Sequence, residues 1–133
     1  MGTRCVTVVQ ERGKDIMAMY RQMDGGPDGH GKELAEFLQG KRIINGIPFG
    51  KDNSMSFNGM GCLAASLVAH FKTEIGGFYL VPLTSRGDGA YLYTVYDGEI
   101  PGSIKLRVES CGKTIYDGYV DDFSPEDCRE DDE

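Results

Sequence analysis

The stretch from Asn58 to Thr73 reads NGMGCLAASLVAHFKT and predicts a helix at the centre of the fold. Apolar side chains recur along it at helical spacing and form one stripe: Met60, Leu63, Ala64, Leu67, Val68 and Phe71. The opposite side carries small residues: Cys62, Ala65, Ser66 and Ala69. A helix that is apolar on one side and small on the other allows close neighbours on both sides, so we expect a buried central helix.

Downstream of this helix the sequence is typical of β-structure. Four β-rich runs, separated by glycine-containing turns, cover residues 78–83, 90–96, 103–110 and 114–120. In the third run, apolar and charged residues alternate: Ile104, Leu106 and Val108 against Lys105, Arg107 and Glu109. This alternation predicts one buried and one wet face, as in an antiparallel sheet with helices on one side.

Upstream of the helix, residues 3–10 and 15–23 predict an N-terminal β-hairpin. A second, shorter helix is expected over residues 32–39, ended by Gly40 in a left-handed conformation. Residues 42–56 are predicted to be irregular because asparagine, glycine and proline punctuate them. The expected order is ββααββββ, which is an α+β fold with a mostly antiparallel sheet.

The charge of the chain lies at its C-terminal end. The formal net charge is −7, and residues 121–133 hold eight acids against Arg129, so they account for all of it. We therefore expect a neutral globular domain over residues 1–120 and an acidic C-terminal tail over 121–133, solvated or in contact with a basic partner. A neutral body with an acidic tail argues against nucleic-acid binding.

Two further function classes are disfavoured. No run approaches the roughly 20 apolar residues that a membrane span needs, and no secretory signal opens the chain, so a cytoplasmic protein is expected. The four cysteines lack zinc-knuckle spacing, and no cofactor is predicted. Cys5 and Cys62 are expected to be buried free thiols, and Cys111 and Cys128 to be exposed. The oligomeric state is not encoded in these patterns.

The loop DGGPDGHG, from Asp24 to Gly31, is the first candidate site. Its backbone amides and the following helix start would suit an anion, with Asp24, Asp28, Gly29, His30 and Gly31 as ligand-binding residues. Alternatively, Asp24, Asp28 and His30 would ligate a metal ion. A structural role is the third interpretation, in which Asp28 caps the helix and the glycines form tight turns.

A second glycine-rich helix start is the other half of the candidate site: Asn58, Gly59, Gly61 and Cys62. Two such starts would converge on one anionic ligand, or Cys62 would form a nucleophilic pair with His30 or His70. Close packing of a small core residue is the plainer interpretation of Cys62.

Two arginines on the predicted hairpin complete the set of ligand-binding residues. Arg4 and Arg21 would meet a carboxylate or phosphate if they point to one side, or else pair with Asp24, Glu33 or Glu36. Six tyrosines crowd the C-terminal strands and would also suit a protein interface: Tyr79, Tyr91, Tyr93, Tyr96, Tyr116 and Tyr119.

Three stretches of the chain carry a family resemblance: MGTRC at the start, YRQMDGGPDGHGKELAEFL (residues 20–38), and FNGMGCLAASLVAHFK (residues 57–72) followed by GGFYLVPL. They resemble a family of small proteins of unknown function from phage, other viral and bacterial genomes, over about the first 83 residues. The resemblance implies a viral or mobile-element setting, and with it a host cytoplasm, but no catalytic residue.

These patterns lead to one principal hypothesis and two alternatives. The principal one is a non-enzymatic binding module that sequesters a small anionic or nucleotide-like ligand, as a host-defence antagonist would. The first alternative is an inhibitor that binds a host protein through the tyrosine-rich sheet and the acidic tail. The second is a small hydrolase dependent on Cys62 or on a metal at Asp24, Asp28 and His30.

Overall fold

The structure is a computed structural model that describes residues 2–44 and 56–128. It opens with a β-hairpin of β1 (Cys5–Glu11) and β2 (Lys14–Arg21). Arg12 and Gly13 join them with φ of 52° and 80°. Positive φ at both turn positions matches the right-handed twist of paired strands, so this two-residue connection fixes the hairpin register.

The helical segment follows the hairpin. A single π-type turn at Pro27–Gly31 leads into α1 (Lys32–Leu38), and Gly40 lies just beyond it with φ of 80°. Two three-residue strands, β3 (Arg42–Ile44) and β4 (Ser56–Asn58), then pair in parallel. The helix α2 (Gly59–Phe71) begins directly after β4.

The remaining strands belong to the main sheet: β5 (Phe78–Leu80), β6 (Tyr91–Asp97), β7 (Ile104–Ser110) and β8 (Lys113–Tyr119). The six strands lie in the order β5-β2-β1-β6-β7-β8. β1 and β6 are parallel, and the other four pairs are antiparallel.

The α+β class is confirmed, but the element order and the character of the sheet differ from the prediction. The order is ββαββαββββ, because β3 and β4 separate the two helices, and the sheet is mixed because β1 pairs with β6 in parallel. Within the predicted irregular stretch, residues 42–44 and 56 are strand, and residues 45–55 lie outside the described residues. β5 is shorter than expected since Pro82 has no N–H to extend the ladder.

The core lies between the sheet and a single layer that contains both helices. Leu34 and Leu38 of α1 and Leu63 and Leu67 of α2 are fully buried, and they share one apolar cluster with sheet residues such as Tyr93. The small side of α2 is exposed at Gly61, Cys62, Ala65 and Ala69. The expectation of a helix buried on both sides is therefore wrong: its apolar stripe packs on the sheet and its small side faces outward.

The opposite face of the sheet is covered over β1 and β2. Val6, Val8 and Ala18 are buried there in a second cluster with Val81. An ion pair from Arg86 Nη1 to Asp15 Oδ2 (2.7 Å) also links this covering segment to the hairpin. β1 is consequently apolar on both faces, as a central strand must be.

Part of the acidic tail packs on the domain. Phe123 and Cys128 are buried, and Gln39 Nε2 donates to the carbonyls of Val120 and Phe123, both at 3.0 Å. The Gly40 amide donates to Asp121 Oδ1. Residues 121–128 thus contact the body where a solvated tail was expected, and residues 129–133 lie outside the described part.

Cysteine burial corrects two expectations. Cys5 is buried and Cys111 exposed, as predicted, whereas Cys62 is exposed and Cys128 buried. Cys62 is exposed because it lies on the outward-facing side of α2, and Cys128 is buried because the tail packs on the domain. Neither helix described here has the length and hydropathy of a membrane-spanning segment.

Candidate functional site

The glycine-rich loop is fixed by its own hydrogen bonds. The amides of Gly29 and Gly31 donate to the Gly26 carbonyl, and the His30 amide donates to the Asp24 carbonyl. A Cβ on Gly29 would lie 2.5 Å from the Asp24 carbonyl oxygen. These amides are therefore unavailable to a ligand, and Gly29 is needed because two backbone segments approach closely.

His30 is carried from this loop into the interior. Its side chain is fully buried, with Nε2 2.6 Å from Thr7 Oγ1 and Nδ1 3.1 Å from Arg21 Nη1. Since an arginine has no acceptor, Nδ1 accepts and the proton resides on Nε2, which donates to Thr7. Burial, and to a smaller extent the charge of Arg21, lowers the pKa of His30 to about 3, so the ring is neutral at pH 7.

Tyr93 supports the same loop from the sheet. Its ring is fully buried, edge-on to His30 with centroids 4.9 Å apart, and its hydroxyl donates to the Gly25 carbonyl at 2.7 Å. The ring of Phe71, from the end of α2, lies 5.1 Å from His30. The imidazole is thus enclosed by rings on two sides, which leaves Arg21 as the group of this network that reaches the surface.

Arg21 is held by four residues. Its Nε donates to the Met23 carbonyl (2.7 Å), while Nη1 donates to His30 and to Glu33 Oε1 (2.9 Å). The guanidinium lies 4.8 Å from the centroid of the Phe78 ring. Nη2 is 3.5 Å from Glu33 Oε2, at the outer limit of a hydrogen bond, so Nη2 retains donor capacity.

Arg21 lies in the wall of a cleft of about 600 Å³ between α1, the end of α2 and the start of β5. Four rings line it: Phe37, His70, Phe71 and Phe78. The Phe37 and His70 rings are stacked, with centroids 4.2 Å apart. A volume of this size is typical of a site for a small molecule.

The charges of the cleft are balanced. Arg21 and Lys41 supply two cations, and Glu33 and Glu36 supply two carboxylates. Lys41 Nζ lies 3.8 Å from the centroid of the Phe37 ring and donates to the Phe37 carbonyl. Partial burial lowers the pKa of Lys41 from its ordinary value.

The remaining predicted site residues are not gathered here. Arg4 precedes Cys5, the β-partner of Arg21, and strand alternation directs its exposed side chain to the other face. Asp24 and Asp28 are also exposed at the surface of the loop. Gly31 is buried, and a Cβ on it would lie 3.4 Å from the Phe123 and Tyr93 rings.

The two glycine-rich helix starts do not converge. Asn58, Gly59, Gly61 and Cys62 lie at the first turn of α2, whereas the cleft lies at its last turn, roughly 15–20 Å away at 1.5 Å per residue. Both ring nitrogens of His30 are engaged, and His70 is about 12 Å along the helix from Cys62. The described chain therefore brings no histidine to Cys62.

Among residues 2–44 and 56–128, no group of three histidine, cysteine or acidic side chains could hold a metal ion. In particular, His30 uses both nitrogens within the fold and so does not join Asp24 and Asp28. Comparison with protein-family models, curated proteins and solved structures found no match to this chain.

Sequence reasoning selected Arg21 and His30 but missed the rings and the second cation of the cleft. Phe37 follows the apolar spacing of α1, which is typical of a core residue, but it is only half-buried. The available signal was the excess of aromatic residues at the ends of elements, at Phe37, Phe71 and Phe78.

Proposed function

We propose that this protein is a non-enzymatic binding module, and that its small anionic or nucleotide-like ligand occupies the cleft at Arg21. The observation that supports the proposal is the way in which the guanidinium group of Arg21 is held. A neutral histidine, a backbone carbonyl and an aromatic ring hold Arg21 in place, and none of them neutralises its charge. A cation that is fixed before binding loses little conformational entropy when it meets a carboxylate or phosphate.

Glu33 occupies the position that we assign to the ligand's anionic group. Its side chain is 46% exposed, while that of Arg21 is 11% exposed. Because the Glu33 carboxylate is half exposed, it regains contact with water when it leaves Arg21, and an incoming anion takes over the pairing of the guanidinium. The displaced carboxylate stays at the edge of the cleft with access to solvent, whereas Arg21 remains in place.

The rings of the cleft suit the rest of such a ligand. The Phe78 ring packs against the guanidinium, and the stacked rings of Phe37 and His70 also line the cleft. Flat or apolar groups are stabilised against such rings. The proposal is binding rather than catalysis because the hydrogen bonds described for the cleft pair Arg21 with Glu33 and Lys41 with the Phe37 carbonyl, and none of them joins a nucleophile to a base.

Isothermal titration calorimetry with acetate, inorganic phosphate and adenosine monophosphate tests the proposal. Glu33→Gln removes the internal competitor and should strengthen binding several-fold. Arg21→Lys loses the guanidinium fork and should weaken binding at least tenfold. Arg86→Lys, which alters an ion-paired arginine on the other face, is the matched control.

Arg21 also supports the fold, so the Glu33→Gln variant decides the matter if Arg21→Lys is unstable. The proposal fails if neither the parent protein nor Glu33→Gln binds any of the three anions. It also fails if Glu33→Gln binds them more weakly than the parent protein does.

A protein partner is the second candidate, and one observation favours it. Tyr96, Lys105 and Tyr119 form a row across β6, β7 and β8, with Lys105 Nζ 5.5 and 5.3 Å from the two ring centroids. Tyrosine is enriched at protein–protein interfaces. Crosslinking through Lys105 to one specific host protein, lost in Tyr119→Ala, would favour this candidate over the cleft.

A further inference from the structure

The proposed anion site leaves an imbalance of charge, and this imbalance restricts the chemistry of the ligand. The cleft lining sums to zero, with Arg21 and Lys41 against Glu33 and Glu36. A bound anion would therefore make the occupied cleft negative. A ligand with one negative and one positive group would keep the cleft neutral, with each charge paired.

The positions of the carboxylates indicate where the positive group must lie. Glu33 and Glu36 are three residues apart on α1, so their side chains are neighbours on one face of the helix. An anion on Arg21 releases Glu33 next to Glu36, and two adjacent carboxylates repel each other unless a cation lies between them. Lys41 is held against the Phe37 ring and carbonyl, so an ammonium group on the ligand would supply that cation.

The two charges of the ligand must also be close together. Glu33 Oε1 lies 2.9 Å from Arg21 Nη1, so a carboxylate displaced by rotation of its side chain remains within a few ångströms of the guanidinium. The ammonium that meets it must therefore be attached near the ligand's own anionic group. An α-amino acid head group has this arrangement.

The rings of the cleft define the third part of the ligand. A volume of about 600 Å³ exceeds what an amino-acid head group fills, and Phe37, Phe78 and His70 line the remainder. Aromatic side chains pack favourably against such rings in offset or edge-on geometry. We infer that the cleft binds a zwitterionic ligand of the aromatic α-amino acid class, with its carboxylate on Arg21 and its ammonium between Glu33 and Glu36.

This inference rests on the proposed function, and a series of three matched compounds separates the two. Phenylalanine carries both charges, N-acetylphenylalanine carries only the anion, and phenylalaninamide carries only the cation. In calorimetry with the parent protein, we expect phenylalanine to bind at least tenfold more tightly than either derivative.

Variants of the two carboxylates test where the ammonium lies, which binding to the parent protein alone does not show. Glu33→Gln should strengthen binding of N-acetylphenylalanine but not that of phenylalanine, because it removes a competitor and an ammonium acceptor together. Glu36→Gln should weaken binding of phenylalanine about tenfold and leave N-acetylphenylalanine unchanged. Glu109→Gln, on the other face of the sheet, is the control.

The outcomes are distinguishable. If N-acetylphenylalanine or adenosine monophosphate binds as tightly as phenylalanine, the inference is overturned and the anion-binding function stands. If phenylalaninamide binds best, the cleft is a cation site, and both the inference and the proposed function fall. If no carboxylate or phosphate binds to the parent protein or to Glu33→Gln, both also fall.

Discussion

Acid should destabilise this domain through His30. The imidazole is neutral and fully buried in the fold, with a pKa of about 3, whereas in the unfolded chain its pKa is near 6.5. Between these two values the unfolded state binds more protons, so stability rises with pH across this window. The contribution of His30 is complete above pH 6.5 and is lost as the pH falls towards 3.

The size of the effect follows from the two pKa values. Protonation of His30 in the unfolded chain, taken alone, lowers the free energy of unfolding relative to its value at pH 7.5. The decrease is about 2 kcal/mol at pH 5 and about 3 kcal/mol at pH 4. Domains of this kind are stable by roughly 5–15 kcal/mol, so the loss is easily measured. Carboxylates titrate in the same range, and the measurement must separate them from the histidine.

Urea denaturation from pH 7.5 to pH 4 on the parent protein and on His30→Gln provides that separation. Glutamine keeps an acceptor for Arg21 and a donor for Thr7 but does not titrate, so the difference between the two stability curves isolates His30. His70→Gln, which changes the chain's other histidine, is the matched control. Nitrogen-15 NMR should also find His30 protonated on Nε2 alone at pH 5.

The reasoning is refuted if the parent protein and His30→Gln lose stability in parallel between pH 6.5 and pH 4. An imidazole protonated on Nδ1 would equally contradict the network, since that nitrogen must accept from Arg21.

Three further predictions concern packing. Leu67→Asp places a charge in the core at a fully buried position and should abolish cooperative melting; near-parental stability would mean that α2 is not packed on the sheet. Gly29→Val should lower the free energy of unfolding by several kcal/mol, because a Cβ there meets the Asp24 carbonyl. Gly61→Ala places its Cβ in open space and should be neutral or stabilising by up to about 1 kcal/mol. Equal melting temperatures for the two variants would contradict the loop geometry. In the native protein a thiol reagent should modify Cys62 and Cys111 rapidly, but Cys5 and Cys128 only after denaturation. Rapid modification of all four thiols would show that the tail and β1 are not packed.

Much of the fold could be predicted because it is encoded locally. The hairpin, both helices and the last three strands follow from periodicity and turn residues close in sequence. The parallel pairing of β1 with β6 could not be predicted, since it joins residues 86 positions apart, such as Val8 and Thr94. The one local indication of this pairing is that apolar residues occupy consecutive positions of β1, which is typical of a strand buried on both faces.

The site was harder to predict, and the glycine-rich loop shows why. A glycine that admits a ligand and a glycine that admits another backbone segment are identical in sequence, and Gly29 is of the second kind. His30 was considered as a metal ligand or a base because of its type. Its role as a buried neutral support for Arg21 depends on Thr7 and Tyr93, which lie in strands remote from the loop.

The central position of β1 has a consequence for biosynthesis. The strand made first pairs on one side with β2, which follows at once, and on the other with β6, which is complete only at Asp97. While the ribosome adds the intervening residues, one edge of β1 and its apolar side chains have no native partner. The sheet therefore closes late, and such open edges are the features that chaperones shield and that promote aggregation. Synthesis rate and chaperone supply should accordingly affect the yield of this protein more than they affect a chain whose neighbouring strands are consecutive.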